Sequence, residues 1–194
     1  MTGVMYEVFE DPYCYPGTDV LRNIPGDRDA AELERFEVVA TTQRASEALP
    51  RGRLNVPHYK AVHRHLFRDV YDWAGKFRTV RITKDTSTFC YPENIAAEMT
   101  KLFAELKQQR YLRRLKADAF ADGAAWFLSE LNAIHPFREG NGRAQVSFLA
   151  LLADRAGHPL SAVALDHRAF MAAMIASFNG DLRPLIDQIR GLIP

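Results

Sequence analysis

The sequence predicts an all-α domain of about seven helices that carries one β-hairpin. In most of the chain, apolar residues return every three or four positions, which is the spacing of a helix face that packs on a core. The spacing changes to alternation at one place, where Val80 and Ile82 alternate with polar residues before a turn at residues 84–86. No repeat, linker or low-complexity tract divides the chain, so we expect residues 1–194 to form one domain.

Capping residues, prolines and glycines in the sequence predict where the helices begin and end. A capping box at residues 29–32 opens the first helix, which is predicted to run towards Leu49. The second and third helices begin near Pro57 and Pro92, because proline is favoured in the first helical turn. The fourth covers residues 120–134. The fifth helix follows the turn before it, is marked by apolar residues between Phe148 and Ala156, and ends at Gly157. Two more are expected at residues 167–179 and 182–192.

Composition and charge exclude several classes of protein. The chain is 47% hydrophobic and 25% charged, which is typical of a globular protein and argues against disorder. A formal net charge of +1 gives no reason to expect nucleic acid or a membrane as partner. No apolar run reaches the roughly 18 residues of a membrane span, and the N-terminus does not resemble a signal peptide. Cys14 and Cys90 lack metal-ligand spacing, which favours a reducing, cytoplasmic compartment.

The residues that carry chemistry lie at 135–143, His-Pro-Phe-Arg-Glu-Gly-Asn-Gly-Arg, which we call the motif segment. Gly140 and Gly142 permit backbone conformations in which N–H groups converge on an anion. The helix that follows adds its own N–H groups and the positive end of its dipole. Arg143 is unfavourable beside that positive end unless an anion such as a polyphosphate offsets it. The segment therefore predicts a phosphate site.

The motif segment also contains a metal ligand and a base. The carboxylate of Glu139 can hold a Mg²⁺ ion that bridges phosphate oxygens. His135 can take a proton from a hydroxyl near neutral pH. A tight structural loop would explain any one of these residues alone, but the set within one short segment favours an active site.

The motif segment resembles the signature of the Fic family, His-x-Phe-x-(Asp or Glu)-Gly-Asn-Gly-Arg, and matches it at every specified position. The resemblance extends to residues 11–23 and 63–75, which are similar to other blocks of bacterial Fic toxins and of Fic domains in secreted effectors. Residues 77–92 stand where the family places a β-hairpin, and we call them the flap. The resemblance implies the Fic fold, a helical bundle with this one hairpin.

The resemblance implies a protein adenylyltransferase, which transfers AMP from ATP to a Tyr, Thr or Ser hydroxyl of a target protein and releases pyrophosphate. His135 would deprotonate the hydroxyl, Phe137 would anchor the segment in the core and Glu139 would bind Mg²⁺. The phosphates would be held by Gly140, Asn141, Gly142 and Arg143. The alternatives are a phosphotransferase like the Doc toxins, whose motifs commonly depart from Gly-Asn-Gly, and a non-catalytic nucleotide-binding interaction module.

In the family the flap pairs with an extended segment of the target protein. The alternative interpretation is a structural hairpin that covers the core. The residues expected to do so are Ile82, Thr83, Lys84, Thr88 and Phe89. No Ser or Thr stands four residues before a Glu, as the family's inhibitory helix requires. An inhibitory helix would therefore come from a separate small antitoxin. The protein is expected in the bacterial cytoplasm, or in a host cell if it is a delivered effector.

The sequence departs from the family at Val146, where many members have a second Arg that contacts the γ-phosphate. Arg138 or Lys84 is a candidate substitute. Other conspicuous residues are interpreted as structural: a basic run at 110–116 as a solvated helix end, and Met171 and Met174 as core filler.

Overall fold

The computed structural model describes residues 11–84 and 87–194, and for Lys84 and Ser87 only the backbone. Within those residues the chain forms seven α-helices, as predicted. They are Ala30–Ser46 (α1), Val56–Phe67 (α2), Pro92–Gln108 (α3), Ala117–Ile134 (α4), Asn141–Ala156 (α5), His167–Phe178 (α6) and Arg183–Leu192 (α7). Single-turn 3₁₀ helices lie at Arg110–Leu112 and Ala162–Ala164.

Helix α4 lies at the centre of the bundle and packs against α3, α5, α6 and α7. Its predicted apolar stripe is confirmed, because Phe120, Phe127 and Leu131 are completely buried. Helix α2 packs against α1, α3 and α5 on the other side of the core. The motif segment begins in the loop between α4 and α5 and continues into the first turn of α5. Because α4 and α5 pack against each other, both ends of this loop are fixed. None of the described helices is long and apolar enough to cross a bilayer.

Helix α1 begins as predicted but ends early. The Asp29 side chain caps it by accepting a hydrogen bond of 2.9 Å from the Glu32 N–H. The helix ends at Ser46, and Glu47 has extended backbone (φ −82°, ψ 165°), so the predicted continuation to Leu49 was wrong. In the last turn Arg44 binds two carboxylates at once. Its Nη1 donates to Glu47 at 3.0 Å, just after the helix, and its Nε donates to Asp69 at 2.5 Å, which ties the end of α1 to the residues that follow α2.

The flap contains a short antiparallel hairpin. Thr83–Lys84 (β1) pairs with Ser87–Thr88 (β2), with Thr83 opposite Thr88. Lys84 therefore belongs to a strand and not to the predicted turn, and the other two residues of that turn, 85 and 86, lie outside the described part of the chain. The strands are shorter than the alternating pattern predicts, although the Phe89 N–H still donates to the Ile82 carbonyl at 3.3 Å beyond them. The main chain on either side of the hairpin is held by a side chain. The Arg78 guanidinium donates to the carbonyls of Val80 and Cys90, both at 2.6 Å.

Candidate active site

His135 follows the last residue of α4 and adopts a left-handed backbone conformation (φ 48°, ψ 62°). This conformation is uncommon for a residue other than glycine and costs about 1 kcal/mol, so neighbouring contacts must maintain it. The His135 N–H donates to the Leu131 carbonyl at 3.1 Å, and its own carbonyl accepts from Arg78 Nε at 2.8 Å. Its ring stacks on the Phe89 ring, with centroids 3.9 Å apart. The imidazole is therefore held from both its main chain and its ring face.

Phe137 occupies the position expected of an anchor. Its side chain is completely buried, and its ring centroid lies 3.7 Å from that of His63 and 5.4 Å from that of Tyr59. Asn141 closes the loop from the inside: its Oδ1 accepts from the Phe137 N–H at 2.9 Å and its Nδ2 donates to the Phe137 carbonyl at 2.8 Å. Because this amide bonds to the loop and the residue is only 3% exposed, the phosphate role assigned to Asn141 falls mainly to its main-chain N–H.

The two glycines of the motif segment have different roles. Gly140 has φ 79°, and a Cβ there would lie 2.2 Å from Phe67 Cζ, so both the conformation and the close approach require glycine. Gly142 lies in the first turn of α5 without a positive φ, and a Cβ there would meet only Met171 Cε, at 3.7 Å. The expectation that Gly142 supplies a special backbone conformation was therefore wrong.

The N-terminus of α5 has no side-chain cap. The first backbone hydrogen bond of its opening turn runs from the Ala144 N–H to the Gly140 carbonyl at 3.1 Å. The N–H groups that precede Ala144 have no partner within the helix and lie at the positive end of its dipole. This end of α5 therefore has the geometry for binding an anion.

Arg143 is already paired with carboxylates of the protein. Its Nη2 donates to Glu37 Oε1 at 2.5 Å and lies 3.4 Å from Glu139 Oε1, and its Nη1 donates to Thr41 Oγ1 at 3.3 Å. Its guanidinium also lies over the Phe67 ring, 4.6 Å from the centroid. From the sequence, a polyphosphate was expected to offset the positive charge of Arg143. In the structure, carboxylates of the protein offset it, and one of them, Glu37, was not predicted from the sequence.

Glu139 has one carboxylate oxygen in use and lies at the opening of the site. Oε1 accepts from the Gly140 N–H at 2.7 Å, and the side chain is 44% exposed. Among the described residues there is no group of three or more His, Cys, Asp or Glu side chains that could hold a metal ion. A cation here would therefore depend on Glu139 together with ligand and water oxygens.

His63 supports the motif segment from the buried side, a role that was not predicted from the sequence. Its Nδ1 accepts from the Gly75 N–H at 2.9 Å, so its Nε2 carries the proton and donates to the Glu139 carbonyl, also at 2.9 Å. Burial, with a smaller contribution from the nearby Arg143 charge, lowers the pKa of His63 to about 4. The neutral ring therefore fixes the main chain at Glu139.

The motif segment opens onto a cleft with a volume of about 900 Å³. His135, residues 138–143 and Val146 line one side, and α6 lines another. Met174 is buried as expected, but Met171 is 50% exposed and lines this cleft, so its interpretation as core filler was wrong. A second cavity, of about 630 Å³ beside the outer face of α2, contains no residue of the motif segment.

The flap residues divide into two groups. Ile82 and Thr83 line the cleft, and Thr88 is exposed. Phe89 also lines the cleft, but it is 8% exposed and packs on His135, so only a small part of its side chain faces the cleft. The Lys84 side chain lies outside the described part of the structure. Arg138, the other candidate substitute for the second Arg, lines the cleft while its Nε donates to Asp11 Oδ2 at 2.8 Å.

The arrangement of a histidine after one helix, a buried phenylalanine and a glycine-capped helix N-terminus is matched by a known family. The profile of the Fic/DOC family matches residues 53–153, which include the whole motif segment. The chain belongs to the Fic/DOC family. It is 52% identical over 191 residues to a probable protein adenylyltransferase, y4lH, of Sinorhizobium fredii, a match that covers 98% of this chain and 100% of that protein.

Other Fic proteins show the same likeness. The protein adenylyltransferase VbhT of Bartonella schoenbuchensis is 39% identical over 180 residues, which cover 91% of this chain and 37% of VbhT. The crystal structure of the effector BepC of Bartonella tribocorum, which has AMPPNP bound, superposes with a TM-score of 0.83 at 26% identity. That superposition covers 94% of this chain and 96% of BepC. The Fic fold predicted from the motif is therefore confirmed.

Proposed function

We propose that this Fic protein is a protein adenylyltransferase, which transfers AMP from ATP to a tyrosine, threonine or serine hydroxyl of a target protein and releases pyrophosphate. The observation that carries the proposal is the convergence of His135, Glu139 and the N-terminus of α5 on one cleft of about 900 Å³. A cleft of this size accommodates a nucleotide. The relatives y4lH and VbhT carry the same activity in their names.

The triphosphate is bound by the start of α5. The N–H groups at residues 141–143 and the helix dipole face the phosphates, with Gly140 giving them close approach. Arg143 binds the leaving pyrophosphate and neutralises the charge that develops on it. The pairing of Arg143 with Glu37 and Thr41 fixes the guanidinium before the nucleotide arrives.

His135 acts as the general base. It takes the proton of the target hydroxyl as the oxygen forms a bond to the α-phosphorus and the bond to the pyrophosphate oxygen breaks. The stacking of its ring on Phe89 and the hydrogen bond of its carbonyl to Arg78 limit the positions that the imidazole can take. Fixed geometry of this kind is a major source of rate enhancement when little covalent chemistry is done by the protein.

Mg²⁺ fits the site through Glu139. Only Oε1 of this carboxylate bonds to the protein, and the side chain is partly exposed at the cleft. Mg²⁺ is usually bound by one or two carboxylates together with phosphate oxygens and water, so the lack of a larger acidic cluster among the described residues does not conflict with it. The ion would neutralise charge on the phosphates.

The target protein is held by the flap. An extended segment of the target pairs with the hairpin, beside Ile82 and Thr83 where they line the cleft, and this pairing places its hydroxyl near His135. Main-chain hydrogen bonds depend little on the side chains of the target, so the target is selected mainly by contacts outside the flap.

Regulation and location complete the proposal. The chain forms one Fic domain over residues 1–194, and inhibition comes from the helix of a separate antitoxin protein. The enzyme acts in the cytoplasm of its own bacterial cell, or of a host cell if it is delivered as an effector.

Labelled ATP tests the proposed reaction. The protein is incubated with a bacterial lysate, Mg²⁺ and ATP that carries the label on either the α- or the γ-phosphate, and proteins are then separated and analysed by mass spectrometry. Label from the α-phosphate alone, with an AMP adduct, supports adenylyl transfer. Label is counted only where it exceeds that of lysate incubated without the protein, because the kinases of the lysate also use the γ-phosphate. Added label from the γ-phosphate alone identifies a Doc-like phosphotransferase, and no added label from either ATP, with ATP binding retained, identifies a non-catalytic module.

A further inference from the structure

Arg78 is a buried arginine without a carboxylate partner. Its residue is 2% exposed, and none of the ion pairs between described residues includes it. Its guanidinium donates instead to main-chain carbonyls: Nε to His135 at 2.8 Å, Nη1 to Val80 at 2.6 Å, and Nη2 to Cys90 at 2.6 Å and Ile134 at 3.3 Å.

The end of α4 explains how the charge is tolerated there. The carbonyls of Ile134 and His135 belong to the last turn and cap of α4, where they have no partner within the helix. They also lie at the negative end of the helix dipole, which favours a cation. An isolated buried guanidinium would be costly, but here its donors are matched to carbonyls that would otherwise be unsatisfied.

The same side chain joins the flap to the motif segment. Val80 lies before the paired strands and Cys90 after them, so the main chain on both sides of the hairpin is fixed to one guanidinium. The Cys90 N–H also donates to the Ala133 carbonyl of α4 at 3.1 Å, and the Arg78 N–H donates to the Pro136 carbonyl at 2.9 Å. The base and the hairpin are therefore joined by several contacts, and one side chain, that of Arg78, bonds to both.

We propose that Arg78 is a positioning residue that sets the imidazole of His135 relative to the flap, and so aligns the general base with the hydroxyl that the flap presents. This inference rests on the proposed function for its catalytic consequence. Arg78 does not itself touch the reacting atoms. It acts on the main chain of His135, whose left-handed conformation needs support, and on the segment that brings Phe89 against the His135 ring.

A measurement of the position of the His135 ring distinguishes this positioning role from a general contribution to stability. In the wild-type protein the ring protons of His135 experience the ring current of Phe89, whose centroid is 3.9 Å away. In Arg78→Gln these NMR resonances should move towards those of Phe89→Leu, in which the stacked ring is absent. Transfer should fall roughly 100-fold, because misplacement by about 1 Å has such an effect. ATP affinity should stay within about twofold, since Asn141, His63 and Glu37 hold the phosphate site independently.

Two further variants complete the experiment. Arg155→Gln removes an arginine bond to the Gly52 carbonyl far from the motif segment, and should leave both the His135 resonances and transfer unchanged. If Arg78→Gln does not fold, Arg78→Lys keeps the charge but cannot reach carbonyls on both sides, and should shift the resonances and lower transfer to a smaller extent.

Unchanged His135 resonances in a folded Arg78 variant would overturn the proposal, as would equal losses of ATP binding and transfer. The resonance test does not depend on enzymatic activity. If the wild-type protein transferred no label while the His135 resonances still depended on Arg78, the proposed function would fail and the positioning role would stand.

Discussion

Glu37 and Arg143 form an ion pair of 2.5 Å between α1 and α5, although they are 106 positions apart in the sequence. The Tyr71 hydroxyl donates to the other oxygen of the same carboxylate. The Glu37 side chain is 12% exposed and that of Arg143 is 38% exposed. The Arg143 guanidinium, which is proposed to bind pyrophosphate, therefore already has a carboxylate partner. A phosphate that binds there must share the guanidinium with Glu37.

Glu37→Gln should tighten ATP binding about fivefold. The substitution keeps an acceptor for Arg143 but removes a negative charge near the phosphates, and a charge contact of this kind, partly screened, is worth about 1 kcal/mol. Calorimetric titration with a non-hydrolysable ATP analogue measures the change. Glu34→Gln, on the exposed side of α1, makes the same change in net charge and serves as control. Weaker binding in Glu37→Gln would mean that the carboxylate mainly positions Arg143.

Gly140→Ala should abolish ATP binding and lower stability by several kcal/mol. The new Cβ would lie 2.2 Å from Phe67 Cζ in a backbone with φ 79°, so the loop or α2 must move. Gly157→Ala is a matched control, because Gly157 has φ 93° but no atom within 4 Å of the added Cβ. The control should lose only about 1 kcal/mol, from conformational strain. Equal losses in the two variants, measured by urea unfolding, would show that the Phe67 contact is unimportant.

The helices and the motif segment could be predicted because their determinants are local. Asp29, Pro92 and Gly157 mark helix ends through contacts with near neighbours in sequence. Glu37, His63 and Arg78 could not be assigned in this way. Their partners are 106, 76 and 57 positions away, and only the packing of α1, α2 and the flap on the α4–α5 loop brings them together.

Residue types also misled the prediction where burial decides the role. The alternation predicts a hairpin but not where its pairing ends, and it does not show that the Val80 and Cys90 carbonyls on either side accept hydrogen bonds from the buried Arg78. A methionine at helical spacing is typical of a core, yet Met171 faces the cleft because α6 borders it. In both cases the sequence pattern is correct and the environment is set by other elements.

His63 should make stability depend on pH below neutrality. Burial lowers its pKa to about 4 from an ordinary value of 6.5. Between these values the unfolded chain binds more protons than the folded chain, so this contribution is complete above about pH 6.5 and is lost as the pH falls towards 4. The loss should approach about 3 kcal/mol.

Urea unfolding of wild type and His63→Gln at pH 7 and pH 4.5 tests this dependence. The difference between the two pH values should be smaller in His63→Gln, whatever its stability at pH 7. Substituting the exposed His167 by Gln serves as control and should keep the wild-type difference. An identical pH dependence in His63→Gln and wild type would contradict the assignment.

His135→Ala should abolish AMP transfer while ATP binding and folding are retained. The imidazole is assigned proton removal, which contributes about 10²–10⁴-fold, whereas the phosphates are held by α5 and Arg143. Label transfer, calorimetry and a melting curve measure the three properties. Transfer at the wild-type rate would remove His135 from its role, and lost ATP binding would show that it supports the phosphate site.

Val146→Arg should tighten ATP binding about tenfold and raise transfer. Val146 lies one turn after Arg143 on α5, lines the cleft and is only partly buried, so a longer side chain can extend towards the phosphates. A charge-assisted hydrogen bond to the γ-phosphate is worth roughly 1.5–3 kcal/mol, and part of it is offset by ordering the side chain. Tighter binding with an unchanged melting temperature is the expected result.

Val146→Gln is the control for this experiment, because it adds a polar side chain of similar reach without charge and should give little gain in affinity. The opposing outcome is unchanged ATP binding with a lowered melting temperature. Val146 also packs against the core cluster, and an arginine forced into that contact would lack a partner and destabilise the fold. That result would show that Val146 is a packing residue and that this Fic protein holds the γ-phosphate by other groups, of which Arg138 lines the same cleft.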